Sequence, residues 1–250
     1  MRVTTLGTSH GDPTPCRFST STLVESGGAG YLIDAGAPVH ALLIRAGKAL
    51  GAVRAAFITH MHEDHVAGLP SLLKTLLKYP DDAQPLDVFL PEARAMEALG
   101  AWIRALRRPW PSSLVDVHLT AAGEVYADGR ATVSAEVTRH LPPEGGCSVS
   151  FAYVVEAEGK RVVVTGDLSG DFGDFPAAAR RRPSDLVVCE ATHYPPETAL
   201  PVLAKCPIRW LVLNHVGNPW HGEGEAKLRA IFATLPYPVD VAHDGDEFVV

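Results

Sequence analysis

The sequence predicts an α/β fold in which two sheets pack together with helices outside. Three observations carry this. Strand-like runs followed by helix-like ones occur twice along the chain. Apolar residues make up 46% of the 250 residues, ample for a sizeable core. No linker or low-complexity stretch interrupts the chain, so residues 1–250 read as one domain of two similar halves.

In the first half, Val3 to Gly7, Ser21 to Glu25 and Tyr31 to Asp34 read as strands, the last two joined by the turn Gly27-Gly28-Ala29-Gly30. Between the first two lies Thr8 to Pro15, a loop of small polar residues of the kind that carries function on a rigid scaffold. Pro38 suits the first turn of a helix reaching about Gly47. A strand over 55–60 follows, then the leucine-rich, helix-like Gly68 to Leu77. Asp87 to Leu90 is strand-like. It leads into a helix from Pro91 whose Ala95, Leu99, Trp102, Ile103 and Leu106 recur at helical spacing and predict a core stripe. Arg104, Arg107 and Arg108 with Trp110 read as a solvated, cationic helix end.

The second half repeats the logic. Segments 114–120, 131–138, 148–156 and 161–165 read as strands, the last two joined by a hairpin at Glu158-Gly159-Lys160. Asp185 to Glu190 and Trp210 to Asn214 are short apolar strands, each followed by a helix, at about 196–205 and 223–234. Glu247 to Val250 supplies a last strand.

Composition narrows the function classes. With 22 basic and 29 acidic residues the net charge is −7, which argues against broad, sequence-independent nucleic-acid binding. The amino terminus has no signal-peptide core, and no stretch approaches the roughly 20 apolar residues of a membrane span. A soluble, cytoplasmic protein without a membrane partner is expected. Cys16, Cys147, Cys189 and Cys206 are scattered with no CxxC pair, which predicts free thiols. Cys189 and Cys206 lie in apolar runs and read as small core residues, Cys16 and Cys147 as loop residues.

The densest chemistry lies in Thr59-His60-Met61-His62-Glu63-Asp64-His65, directly after an apolar run. In extended backbone, side chains two apart share a face, so His60 and His62 can grip one ion. Asp64 and His65, where the chain bends into a helix, can face a second. Imidazole and carboxylate suit Zn2+, with Mn2+ or Fe2+ as alternatives. Two ions need further ligands at strand ends, and His140, Asp167 and His215 stand there. A lone histidine at a strand end is usually structural; with the cluster, these three complete a set.

His60-x-His62-x-Asp64-His65, then His140, Thr165-Gly166-Asp167 and Leu213-Asn214-His215, resembles the metallo-β-lactamase superfamily of metal-dependent hydrolases. The resemblance spans nearly the whole chain, including Leu6-Gly7-Thr8 and Leu32-Ile33-Asp34-Ala35-Gly36. It implies an αββα four-layer sandwich, two mixed sheets flanked by helices, with the site at one edge. It also implies His60, His62 and His140 on one metal, Asp64, His65 and His215 on the other, and Asp167 bridging. Within the superfamily the chain is most similar to the ribonuclease Z and phosphodiesterase branch, through Glu190-Ala191-Thr192 and Ala242-His243-Asp244-Gly245. It has neither that branch's long Gly/Pro-rich arm nor a Gly-His-Ser-Thr-like element after Glu190-Ala191-Thr192.

The expected activity is therefore hydrolysis of a small or cyclic phosphodiester by a metal-bridging hydroxide, oriented by Asp64. His193 is the candidate general acid and Glu190 the group that fixes its tautomer. His10 and His243, in glycine-flanked loops, are candidates for substrate or outer contacts, and His221 a weaker one. His40 and His118 have no companions in sequence and read as structural. The alternative is a carboxylic ester, lactone or thioester hydrolase in which Tyr194 polarises an oxygen. A tRNA 3′-processing endonuclease and an iron-dependent oxidoreductase rank below it. The expected partner is a small anionic substrate, with RNA not favoured; a homodimer is compatible with the sequence.

Overall fold

Period-two alternation in the strands builds two inward faces. The computed structural model describes residues 1–80 and 84–250. Its first half supplies strands β1 (Arg2–Gly7), β2 (Ser21–Ser26), β3 (Ala29–Ile33), β4 (Val53–Phe57), β5 (Leu86–Leu90) and β6 (Val115–Leu119). The second supplies β7 (Gly123–Ala127), β8 (Ala131–Val137), β9 (Phe151–Ala157), β10 (Lys160–Val164), β11 (Leu186–Ala191), β12 (Leu211–Val216), β13 (Val239–Val241) and β14 (Asp246–Val249). They form two seven-stranded sheets, ordered β14-β1-β2-β3-β4-β5-β6 and β13-β12-β11-β10-β9-β8-β7. Each sheet is antiparallel over one half and parallel over the other.

On β9, Phe151, Tyr153 and Val155 point between the sheets, where they meet Tyr31, Phe57 and Phe89, while Val154 points outward. Helices α1 (Val39–Arg45), α2 (Glu63–Val66), α3 (Leu69–Lys78) and α4 (Ala93–Ala105) follow strands of the first sheet. Leu72, Leu73 and Leu76 of α3 lie at helical spacing and bury against Leu32, Ala56 and Val88 on that sheet's outer face. Leu72→Ala there would cost about 2–5 kcal/mol. Helices α5 (Ala177–Arg181), α6 (Pro196–Leu203) and α7 (Gly224–Phe232) cover the second sheet, with Leu203, Leu228 and Phe232 buried. The layers are thus helix, sheet, sheet, helix, as the resemblance implies.

Three short elements were not expected from the sequence: β7, α5 and β13. Each is three to five residues long, too short for periodicity to show. The core stripe on α4 is also corrected. Ala95, Leu99 and Ile103 are buried, but Trp102 is 59% and Leu106 36% exposed. The buried face is rotated toward Gly100, because Trp110 folds back onto it; a Cβ at Gly100 would stand 2.5 Å from the Trp110 Nε1. Trp110 therefore packs on the core rather than capping a solvated end. No helix among the described residues is long and apolar enough to cross a membrane.

The parallel strands of both sheets end on one edge. Backbone hydrogen bonds stitch the sheets there, from the Phe151 N–H to the Thr59 carbonyl (3.0 Å) and from the Val216 N–H to the Thr8 carbonyl (2.9 Å). The Tyr153 hydroxyl adds a bond to the Ile58 carbonyl at 3.1 Å. The candidate ligands gather on this edge.

Candidate metal centre

Strand β4 stops at Phe57, earlier than the sequence suggests, because the next residues serve the site. The Asp34 carboxylate, just past β3, accepts the Thr59 N–H (2.8 Å) and hydroxyl (3.0 Å). The chain then buries His60, leaves His62 exposed, and enters α2 with Asp64 and His65 buried. Asp34 has φ 62°, a left-handed backbone that Asp tolerates better than most residues. The loop after it must approach α2 closely: a Cβ at Gly36 would stand 2.2 Å from the Asp64 carbonyl oxygen. On the second sheet, His215 lies within β12 at φ 47°, where the register between β11 and β12 shifts. That local strain turns its ring toward the first sheet.

All seven candidate ligands converge, in two sets. In one, His60 Nε2 lies 3.0 Å and His140 Nε2 3.3 Å from His62 Nδ1. Asp167 Oδ2 is 3.6 Å from both His60 Nε2 and His140 Nε2. In the other, Asp64 Oδ2 is 3.0 Å from His215 Nε2 and 3.3 Å from His65 Nε2. The two Nε2 atoms are 3.3 Å apart. Asp167 Oδ1 stands 3.4 Å from His65 Nε2 and 3.6 Å from His215 Nε2. Each set is a group that could hold a metal ion.

The donors fit such an ion. Ligand atoms about 2.0–2.1 Å from a tetrahedral Zn2+ stand about 3.3 Å from one another, the spacing found here. Asp167 Oδ1 is buried and has no hydrogen-bond partner among the described residues, a costly state that a cation would relieve. His65 Nδ1 is 2.8 Å from Asp34 Oδ2, which turns Nε2 to the cluster. Burial alone would raise the Asp64 and Asp167 carboxyls, yet hydrogen bonds from His215 and His65 hold Asp64, and the charges of His215 and His65 hold Asp167, far below the usual carboxylate range. Burial, reinforced by the charge of His65, pushes His60 well below the usual imidazole range. Against burial, Asp167 and Asp34 push His65 well above it. The surroundings of His65 are those a cation would neutralise.

Beside the cluster stands His193. Glu190, itself buried, accepts the Thr192 and His193 N–H groups on Oε2 (2.8 and 3.0 Å) and the Leu168 N–H on Oε1 (3.0 Å). Its Oε1 is also 3.1 Å from His193 Nδ1. The His193 ring is partly exposed, 4.6 Å from the His140 ring and 5.6 Å from that of His215. Burial would lower its pKa, but the hydrogen bond and charge of Glu190 prevail and raise it.

Other sequence candidates fall elsewhere. His10 packs against His221 at 5.6 Å, and its buried Nε2 has no partner among the described residues. His243 is half exposed and held by Glu225 (2.9 Å) and Asp246 (3.6 Å), with no hydrogen bond to the cluster. Tyr194 is corrected: it is buried, and its hydroxyl donates to the Glu190 carbonyl, so it cannot polarise a substrate oxygen. His118 does have companions, Asp87 at 2.7 Å and Asp116 at 3.8 Å, and it stacks on Phe89. Asp87 lies on the neighbouring strand, out of reach of a local sequence pattern. Sequence reasoning assigned no role to Asp34 and Thr59; the signal was a polar residue ending an apolar strand at Ile33-Asp34.

The fold and its edge cluster define a metal-dependent hydrolase. Residues 14–201 match the metallo-beta-lactamase superfamily, and the chain belongs to it. A ribonuclease Z from Mycobacterium sp. (strain KMS) is 30% identical, covering 98% of this chain and 94% of the relative. That alignment runs over 280 positions, of which this chain fills about 245, so about 35 positions of the relative have no counterpart here. Human tRNase Z, short form, superposes with a TM-score of 0.74 at 22% identity, covering 100% of this chain and 99% of that one. A diphosphatase from the PhnP family superposes with a TM-score of 0.71 at 16% identity, covering 100% and 97%. At those identities the two structures speak to fold alone.

Proposed function

We propose that residues 1–250 act as one dinuclear metal-dependent phosphodiesterase on a small or cyclic phosphodiester. The observation that carries this reading is Asp167, buried between two ligand sets with one oxygen turned to each. His60, His62 and His140 with Asp167 Oδ2 would hold one ion, and Asp64, His65 and His215 with Asp167 Oδ1 the other. Imidazole and carboxylate donors in fours favour Zn2+. When bound, such ions lower the pKa of water toward about 7 and stabilise charge on phosphoryl oxygens.

The chain's own groups do the rest. Asp64, held ionised, accepts a hydrogen bond from the attacking water and orients it. Glu190 engages His193 Nδ1, leaving Nε2 to donate a proton to the departing oxygen. The raised pKa of His193 keeps that proton in place toward neutral pH.

Substrate size follows from what the chain lacks. The missing Gly/Pro-rich arm and the roughly 35 unfilled positions against the relative leave less protein to hold a long RNA. The relative's name supports RNA as the second reading. The carbonyl-ester reading loses Tyr194 as the group that polarises the oxygen.

The test assays protein loaded with Zn2+, Mn2+ or Fe2+ on bis(p-nitrophenyl) phosphate, a cyclic nucleotide, a 3′-extended tRNA, an aryl carboxylic ester and a lactone. Turnover of the small diesters is expected to exceed that of the esters and of RNA in kcat/KM. Absence of diester turnover with every metal would overturn the reading. Faster cleavage of the tRNA would put RNA in its place.

A further inference from the structure

The residues that follow Asp167 are tied twice to histidine-bearing segments, each time by one carboxylate. Glu190 takes the Leu168 and His193 N–H groups. Asp174 does the same for the segment that bears His140. Its Oδ2 accepts the Arg139 N–H at 2.5 Å, and both its oxygens lie 3.1 Å from the Ser169 N. Its Oδ1 also accepts the Ser169 hydroxyl at 2.6 Å. Arg139 immediately precedes His140, and Ser169 stands two residues after Asp167. A single carboxylate thus pins together the chain at two candidate ligands whose facing atoms, His140 Nε2 and Asp167 Oδ2, are 3.6 Å apart.

The His140 segment has little else to hold it. Strand β8 ends at Val137, and the Thr138 N–H still reaches the Ser150 carbonyl at 3.0 Å. From His140 to Pro143 no main-chain group is hydrogen-bonded among the described residues, and Pro142 to Cys147 are exposed. The ring has no brace of its own. His65 leans on Asp34 and His60 on the Thr59 hydroxyl. The only hydrogen-bond contact of the His140 ring among the described residues is another candidate ligand, His62. The Arg139 guanidinium reaches Asp171 at 2.7 Å, but both side chains are more than half exposed, and such a pair contributes little in water. The bonds that the Asp174 carboxylate accepts are charge-assisted and close on two segments at once.

Resting on the metal centre proposed above, we infer that Asp174 is a positioning residue: by tying Arg139 to Ser169 it sets where His140 stands relative to Asp167. It has no hydrogen bond to any donor atom of the two ligand sets and acts through the main chain.

Two measurements test this, one of them without metal. In metal-stripped protein, Asp174→Ala is expected to speed ethoxycarbonylation of His140 by diethyl pyrocarbonate about fivefold, with His118 unchanged as the control. His140 is the sole histidine between Arg139 and Lys160, so one tryptic peptide reads it alone. In a calorimetric Zn2+ titration the same variant should weaken one of two steps about tenfold and leave the other. Asp174→Asn should restore both readouts, because its amide oxygen can accept the two N–H groups while its NH2 donates to the Ser169 oxygen. Should Asp174→Ala not fold, Ser169→Ala removes one bond that fixes the carboxylate and should move both readouts the same way by about twofold. A role in stability alone would lower the melting temperature and leave the His140 rate and both Zn2+ steps at their wild-type values. That result overturns the inference and leaves the phosphodiesterase reading standing. Wild-type protein that binds no Zn2+, Mn2+ or Fe2+ overturns that reading instead, and the His140 rate, taken without metal, then decides the role of Asp174.

Discussion

The two ligand sets are made of the same residue types but sit in different surroundings. Asp64, His65 and His215 are all nearly inaccessible, and His65 is braced by Asp34, itself fixed on Thr59. In the other set His60 is buried against the Thr59 hydroxyl at 3.1 Å, but His62 is exposed and His140 partly so. On the proposed reading, the buried side would keep an ion and the open side would admit a ligand. Asp167 lies between them, and His193 lies toward the open side.

The largest effect should come from removing what the two sides share. Asp167→Ala is expected to lose metal from both sets and to leave less than about a hundredth of the activity. Partners that merely orient ligands already cost 10- to 100-fold. Metal content and turnover measured on one preparation decide it; full metal retention would break the account of Asp167. Next comes His193→Ala. It should keep both metals yet slow cleavage of a diester with an alkoxide leaving group by about 10²-fold or more, and slow p-nitrophenolate release far less. Equal losses on both leaving groups would remove the general-acid role.

Asp34→Asn separates the two sides directly. Asn tolerates the left-handed backbone at φ 62° and keeps a hydrogen-bond acceptor, but it removes the charge behind His65. Metal affinity of the buried set should fall about 10- to 100-fold while the open set is unchanged. A calorimetric titration with two resolved steps reads this, and equal weakening of both steps would contradict it. The smallest effect is a shift in pH profile. His193 must carry a proton to act, so turnover falls as pH rises through its raised pKa. Glu190→Gln removes the charge that raises it, so this alkaline limb should move to lower pH. An unmoved limb would assign the limb to another group.

Much of this was legible in the sequence because the chemistry is local or ends a strand. His60 to His65 are contiguous, and His140, Asp167 and His215 each follow an apolar run, so spacing and strand-end logic suffice. What escaped depends on contacts between distant segments. Asp34 acts through Thr59 and His65, 25 and 31 positions away. Trp102 matches helical spacing, yet the fold of Trp110 onto Gly100 turns it outward. Tyr194 adjoins a candidate catalytic residue, but its hydroxyl turns inward to the Glu190 carbonyl. Neighbourhood in sequence found the residues that converge and misjudged the side chains whose direction is set by packing.

The central claim is that two ions, joined through Asp167, hydrolyse a phosphodiester on this edge. Its most direct test is a Zn2+ titration of metal-stripped protein, following bis(p-nitrophenyl) phosphate turnover at each addition. Activity is expected to grow with the second equivalent and to reach its plateau at two ions per chain. Full activity at one ion per chain, or none at any metal content, would contradict it.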